Sequence, residues 1–164
     1  MCILLYADDT VLLSENPKDL QIALNAMDNY CTNQKLQINT DKTKIMVLSR
    51  GKVRSFPDFF FGSSKIEVVS DYQYLGLTFN YNGKFNKAKT KLYEKGNRAM
   101  FSLLKKARKM LLPLDILVKL FNTLVKSLLL YGAEIWGDEN NDVLEKLQLR
   151  FYKYILGLKN LPVL

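Results

Sequence analysis

MCILLYADDTVLLS, residues 1–14, decides how the rest of the chain is read. Asp8 and Asp9 separate two apolar runs, Cys2-Ile3-Leu4-Leu5-Tyr6-Ala7 and Thr10-Val11-Leu12-Leu13. Each run is short enough for a buried strand, and the acidic break has the length of a hairpin tip. Carboxylates are rarely buried unpaired, so this unit presents Asp8 and Asp9 at the rim of a sheet on rigid flanks. Such a rim suits Mg²⁺, which prefers hard oxygen ligands and takes only a few of them from protein.

Other readings of the pair stand beside this one. An ordinary hairpin turn with Asp at its tip accounts for Asp-Asp alone. A receiver-type phosphoacceptor cluster follows a first strand too, but a helix normally comes next, and Thr10 to Leu13 reads as more strand.

With 164 residues, the chain has enough length for one good core or two small ones. Its 48% hydrophobic and 24% charged residues are those of a folded protein rather than a disordered one. The net charge of +8 points to an anionic partner. Two cysteines, Cys2 and Cys31, make no disulfide framework, so a reducing, intracellular setting is the expectation, with nucleus and cytoplasm not distinguished. There is no histidine, which excludes His-based triads and His zinc sites and leaves chemistry to carboxylates, lysines and hydroxyls. The apolar start lacks a basic leader region and is broken by the Asp pair, so it does not read as a signal peptide. No uncharged apolar run reaches membrane-spanning length, and no membrane partner is expected.

Asn16-Pro17 followed by Asp19 signals a helix start. Leu20, Ala23, Leu24, Met27, Tyr30 and Cys31 then fall on one face, predicting an amphipathic helix over 17–33. An extended piece and polar turn over 35–44 precede a strand at 45–49 and a basic loop at 50–57. Phe59-Phe60-Phe61 leads to a strand at 65–69. DYQYLGLTF, residues 71–79, is a further strand candidate with Gly76 as a bulge or close backbone approach, and 80–83 is a turn.

The composition changes at 84. Residues 84–109 hold ten Lys or Arg against one acid, Glu94, so the basic surplus of the whole chain sits here. Leu92, Ala99, Phe101, Leu103 and Leu104 give an apolar face, predicting a long basic helix loosened at Gly96. A solvated lysine face is the bland reading, but one-signed charge this dense repels itself without a partner. A nucleic-acid backbone is the favoured partner, and a membrane surface the lesser one. A second helix over 114–131 carries a stripe of Leu117, Leu120, Leu124, Leu128 and Tyr131, with Phe121, Val125 and Leu129 beside it. YGAEIWG, residues 131–137, ends it. An acidic linker at 138–142 leads to a helix over 143–156, with Leu144, Leu147, Phe151 and Ile155 on one face and Gly157 as its cap.

Tyr6-Ala7-Asp8-Asp9 resembles the YxDD box of reverse transcriptases, and YADDTVLLS is most like the box of the non-LTR (LINE-type) retrotransposon group. Later blocks resemble that group in the same order. Leu36-Gln37-Ile38-Asn39 with Lys42-Thr43 is similar to its fourth palm motif. Tyr74-Leu75-Gly76 resembles the primer-grip hairpin, and Tyr131-Gly132-Ala133-Glu134-Ile135-Trp136 a phrase at the end of the thumb helices. Leu147-Gln148, Phe151 and Ile155-Leu156-Gly157 resemble the helix that follows.

The resemblance implies an α+β fold: a partial palm of antiparallel sheet plus helix over 1–83, a helical thumb-like region over 84–137, and the start of a connection over 138–164. It implies RNA-directed DNA polymerisation in the parent, a two-metal nucleotidyl transfer with Mg²⁺. Asp8 and Asp9 would hold metal, and Tyr6 and Ala7 would underlie the primer end. Lys42 would approach the triphosphate as an acid on departing pyrophosphate. Tyr74, Leu75 and Gly76 would hold the primer, and Lys95, Arg98, Lys105, Lys106, Arg108 and Lys109 would follow the template–primer backbone. The partners implied are an RNA template, a DNA primer and dNTPs. In the family, a further metal-binding aspartate and the fingers precede the position of Met1, and an endonuclease and a Cys/His knuckle accompany them. The 164-residue chain alone is therefore expected to be inactive. A non-catalytic nucleic-acid-binding remnant, or a fragment that meets an acidic protein, is the alternative.

Overall fold

Two residues, Ala7 and Asp8, are enough to turn the chain back on itself at the start of the fold. In the computed structural model, which describes residues 1–49, 51, 56–137 and 142–158, β1 (Cys2–Tyr6) pairs antiparallel with β2 (Asp9–Leu13). Cys2 lies opposite Leu13, and Tyr6 opposite Asp9. The basic loop at 50–57 and the linker at 138–142 fall largely outside the described residues. The chain forms two units, Met1–Tyr72 with Tyr81–Gly83, and Gln73–Asn80 with the residues from Lys84 onward.

In the first unit, α1 (Pro17–Asn33) begins where the sequence places it. The Asn16 side chain accepts from the Asp19 N–H at 2.9 Å and donates to the Asp19 carboxylate at 2.7 Å, a reciprocal cap. β3 (Lys44–Ile45), β4 (Phe59–Phe61) and β5 (Ser64–Val68) form one sheet in the order β3-β5-β4, with β3 parallel and β4 antiparallel to β5. The core is Leu24 and Cys31 of α1 against Ile45, Phe59, Phe61 and Ile66. Gln21 clamps helix to sheet: its side chain accepts from the Phe60 N–H and donates to the Phe60 carbonyl, as a neighbouring strand would.

Three expectations fail in this unit. The opening runs are not buried strands: every residue of β1 is exposed, Leu5 at 73% and Tyr6 at 63%. A two-stranded ribbon has no further strand to cover its faces, and among its residues Leu12 is the one packed against the core cluster. Tyr30 lies outside the buried stripe and is exposed, because the stripe runs through Leu20, Leu24, Met27 and Cys31. The strand expected at 45–49 stops at Ile45, and the Ser49 N–H donates to the Tyr81 carbonyl at 2.8 Å.

The chain passes into the second unit within β6 (Asp71–Tyr74), which pairs with β7 (Leu77–Asn80). The segment 71–79 is thus not one strand but two strands and a turn, the hairpin that the resemblance implies, and Gly76 marks a close approach rather than a bulge. Then come α2 (Asn86–Met110), α3 (Leu114–Leu120), a π-helical stretch (Phe121–Lys126), α4 (Ser127–Leu129), α5 (Ala133–Trp136) and α6 (Asp142–Ile155). Their shared core includes Leu92, Met100 and Leu104 of α2, then Phe121, Val125, Leu129, Trp136, Leu147 and Phe151. The rings of Phe121 and Phe151 stack with centroids 4.0 Å apart. Both the segment 73–80 and α6 belong to this unit.

α2 runs unbroken through Gly96, so that glycine does not loosen it. A Cβ there would collide with a Leu129 methyl and stand 3.1 Å from one of Leu147. At Gly96, α4 and α6 approach α2 so closely that a Cβ has no room. The expected stripe on the next helix is also displaced. Phe121, Val125 and Leu129 are buried, whereas Leu124 and Leu128 are exposed. The π winding holds more residues per turn, so the core line advances by four residues instead of 3.6 and drifts off the α-helical stripe. The Thr123 and Ser127 hydroxyls donate to the carbonyls of Lys119 and Thr123 along this stretch. Gly157, at positive φ, ends α6 as read, with Leu158 N–H reaching the Lys153 carbonyl at 2.8 Å. Among the described residues no helix is long and apolar enough to cross a membrane.

Candidate functional site

The sequence-predicted residues fall into three places, one acidic and one lysine-bearing turn in the first unit and a basic cleft in the second. At the first, Ala7 adopts φ +52° and Asp8 does not share a positive φ, so the reversal falls on a residue with a small side chain. Asp9 is the first residue of β2, opposite Tyr6. Tyr6, Ala7, Asp8 and Asp9 are all exposed. Among the described residues neither carboxylate has a hydrogen bond or ion pair, so both keep their oxygens available to a hard cation. Two adjacent carboxylates fit part of a Mg²⁺ ligand set.

Lys42 sits in a turn organised by Asn39. The Asn39 side chain accepts from the Lys42 N–H at 3.0 Å, and the Asn39 backbone carbonyl accepts from both the N–H and the hydroxyl of Thr43. This is what the N-x-x-K-T spacing does physically: it is an Asx-type turn that fixes the backbone and leaves the lysine side chain outside. The Lys42 residue is exposed, and among the described residues no hydrogen bond or ion pair joins it to Asp8 or Asp9.

In the second unit, Leu75 and Gly76 join β6 to β7 with φ of +45° and +80°, the sign pattern of a type I′ hairpin turn. Gly76 suits this; Leu75 bears a side chain in a conformation that disfavours one. The tip is held from outside. Tyr131 donates from its hydroxyl to the Leu75 carbonyl at 2.6 Å, and a Cβ on Gly76 would lie 3.4 Å from the Tyr131 ring. Tyr131 is itself fixed by Trp136, whose Nε1–H donates to the Tyr131 carbonyl at 3.0 Å. Gly132, at φ +70°, makes the reversal between them.

Gly76 also lines a cleft of about 280 Å³ together with Gln73, Thr78, Lys91, Lys95, Arg98 and one acid, Glu94. Lys91 donates to the Thr78 hydroxyl at 3.0 Å, which parks its ammonium in the cleft. Three expected residues, Gly76, Lys95 and Arg98, thus converge. The sequence reading missed Lys91, Gln73, Thr78 and the role of Tyr131. Lys91 had a signal: it stands four residues before Lys95 and seven before Arg98, on the same helical face.

That face continues. Lys91, Lys95, Arg98, Lys105 and Lys109 fall within about 40° of one line on α2, and the row runs about 27 Å from Lys91 to Lys109. All five are exposed, and among the described residues none forms an ion pair. Lys106 is exposed at the margin of the line. Arg108 lies off it, with its guanidinium over the Tyr154 ring at 5.0 Å. The buried residues of α2, Leu92 and Met100 among them, occupy the opposite side. One face of α2 is therefore core, and the other carries this row of five cations with the exposed Glu94 beside it.

Residues 1–79 match the family model described as reverse transcriptase (RNA-dependent DNA polymerase). A Caenorhabditis elegans protein, described as a putative uncharacterized transposon-derived protein, is 29% identical over 137 residues, covering 80% of this chain and 47% of its own. The chain spans about half the length of that curated relative. No solved structure matches. The family match takes in the Asp8–Asp9 tip, the Lys42 turn and the Leu75–Gly76 tip, and ends before α2 begins. The first 79 residues are reverse-transcriptase-like, and four-fifths of the chain is similar to a transposon-derived protein.

Proposed function

We propose that this chain is a palm-and-thumb portion of a non-LTR retrotransposon reverse transcriptase, with the metal-binding tip at Tyr6-Ala7-Asp8-Asp9 and a duplex-holding face on α2. The observation that carries the reading is the coincidence of the family match with the three turns that hold Asp8 and Asp9, Lys42, and Gly76. Asp8 and Asp9 would hold Mg²⁺ together with ligands from elsewhere; when bound, the metal stabilises the attacking and leaving oxygens of a nucleotidyl transfer. Tyr6 and Ala7 would support the primer end, the small Ala7 leaving room. Lys42, its backbone fixed by Asn39, would present its ammonium to the triphosphate and protonate departing pyrophosphate. Leu75 and Gly76 would bring backbone close to the primer strand, and the α2 cations would meet its phosphates.

The 164 residues alone would not polymerise, because the tip offers two carboxylates from one hairpin. Primer extension with the chain, Mg²⁺ and dNTPs is expected to give no product. Synthesis that disappears in Asp8→Ala would overturn that expectation.

The α2 row supports a second reading, a nucleic-acid-binding remnant without chemistry, since it needs nothing from the Asp pair. Both readings predict binding to an RNA–DNA duplex that weakens with salt, and an Asp8→Ala chain that binds as well as the parent. Five phosphate contacts give a log–log salt slope of about −4 to −5. No binding at low salt would remove nucleic acid as the partner and leave an acidic protein surface.

A further inference from the structure

We infer that Tyr131 is a positioning residue for the nucleic-acid cleft: it holds the Leu75–Gly76 tip at a fixed distance from Lys95 and Arg98. This rests on the reading of α2 as a phosphate-contacting face. Tyr131 lies outside the residues that match the reverse transcriptase family model.

Tyr131 is 50% exposed, yet its hydroxyl makes a 2.6 Å hydrogen bond to a carbonyl 56 residues away. A half-exposed tyrosine has water available for its hydroxyl, so this bond is poorly explained as rescue of a buried polar group. What it does fix is a turn under backbone stress. Leu75 is at φ +45° with a side chain still 39% exposed, so packing of that side chain does little to pin it. The Tyr131 ring lies against Gly76 on the same turn.

The tyrosine is braced in turn. Trp136, 2% exposed, donates to the Tyr131 carbonyl, and Lys89 of α2 lies over the Trp136 ring at 5.6 Å. A continuous path of contacts therefore runs from α2 through Trp136 and Tyr131 to the tip. The tip and α2 form opposite sides of one cleft, with Gly76 on one side and Lys91, Lys95 and Arg98 on the other. A phosphate seated there meets Lys91, Lys95 and Arg98, three cations against the one carboxylate of the lining, Glu94, at a spacing from the tip that Tyr131 sets. Because Tyr131 carries no charge, its loss should change how well a phosphate fits without changing how many ions are displaced.

The test is duplex binding across a salt series for the parent chain, Tyr131→Phe, Lys95→Gln/Arg98→Gln, and the three changes combined, using an RNA–DNA duplex. Phe keeps the ring against Gly76 and removes only the hydroxyl. Tyr131→Phe is expected to weaken binding about three- to tenfold, the worth of one such hydrogen bond, with an unchanged salt slope. Lys95→Gln/Arg98→Gln is expected to flatten the slope by about two. In that background, Tyr131→Phe is expected to cost less than about twofold, because the cleft it serves has lost its cations. Gly76→Ala, which disturbs the same contact from the other side, should reproduce the pattern. Tyr131→Phe binding like the parent overturns the proposal. So does an equal loss in both backgrounds, which would mark a general effect on the fold. A parent chain that binds no duplex overturns the α2 reading and this inference with it, an outcome distinct from normal binding with an indifferent Tyr131→Phe.

Discussion

Tyr131 and Leu75, 56 residues apart, are joined by a 2.6 Å hydrogen bond from the tyrosine hydroxyl to the leucine carbonyl. Two stretches singled out separately in the sequence, Tyr74-Leu75-Gly76 and Tyr131 to Trp136, are thereby one structure. The bond also locates a weakness. Leu75 occupies a left-handed conformation that a type I′ turn requires and a branched side chain resists.

Leu75→Asn should therefore stabilise the second unit. Asn-Gly is the preferred pair for this turn, and relief of a strained residue is worth about 1 kcal/mol. The Tyr131 bond is to the backbone and survives the change. Urea unfolding should show a higher midpoint at unchanged slope. A lower midpoint would mean that the partly covered Leu75 side chain contributes more than the turn costs.

Gly96→Val should act in the opposite direction. Valine gains on glycine in helix propensity, by a few tenths of a kcal/mol. Its Cβ, however, collides with a Leu129 methyl and meets a Leu147 methyl at 3.1 Å, both from buried side chains. Overpacking of that kind costs roughly 1–3 kcal/mol, so the net change should be a clear loss in thermal or urea unfolding. An unchanged or raised stability would show that α4 and α6 can retreat from α2.

The α2 cations should differ from one another in binding. Lys91→Gln, Lys105→Gln and Lys109→Gln each remove one charge from the row and should each flatten the salt slope by about 0.9. Arg108→Gln should change it less, since that guanidinium rests on Tyr154 beside the row rather than in it. Equal effects from all four would mean that net charge, not alignment, drives association.

What could be read from the sequence follows from how local each signal is. The α1 start was legible because Asn16, Pro17 and Asp19 act within one turn, and the Gly157 cap for the same reason. The α2 cation row was legible in composition, and its straightness in spacing. The exposure of β1 was not, because an apolar strand reads alike whether or not other strands cover it. The apolar line through Phe121, Val125 and Leu129 was legible too, but not that it would be buried in place of Leu124 and Leu128, since a reading at 3.6 residues per turn cannot foresee π winding. Gly96 looked like a weak point because propensity is local, while the close approach of Leu129 and Leu147 is not. At the candidate site, Asp8, Asp9 and Lys42 could be named from their motifs. The cleft could not, because Gly76 and Lys91 meet only once β6 and β7 fold against α2.

The π stretch has a consequence for insertions and deletions. Phe121, Val125 and Leu129 stand at i, i+4 and i+8, a spacing that stays on one line only while the winding is wide. Removing Leu124, itself 51% exposed, would reset them to i, i+3 and i+7, the spacing of an ordinary α-helical face. A one-residue deletion inside a core helix usually rotates everything after it by about 100°. Here the extra residue is already absorbed in the winding, so the shortened helix should keep its core line, and with it the placement of Tyr131. Circular dichroism and thermal unfolding of the Leu124 deletion should show a folded chain, whereas deleting Ala99 from the regularly wound α2 should not. The second unit would then carry one length variant that its helix accepts by design of its backbone, in a place where sequence alone would forbid it.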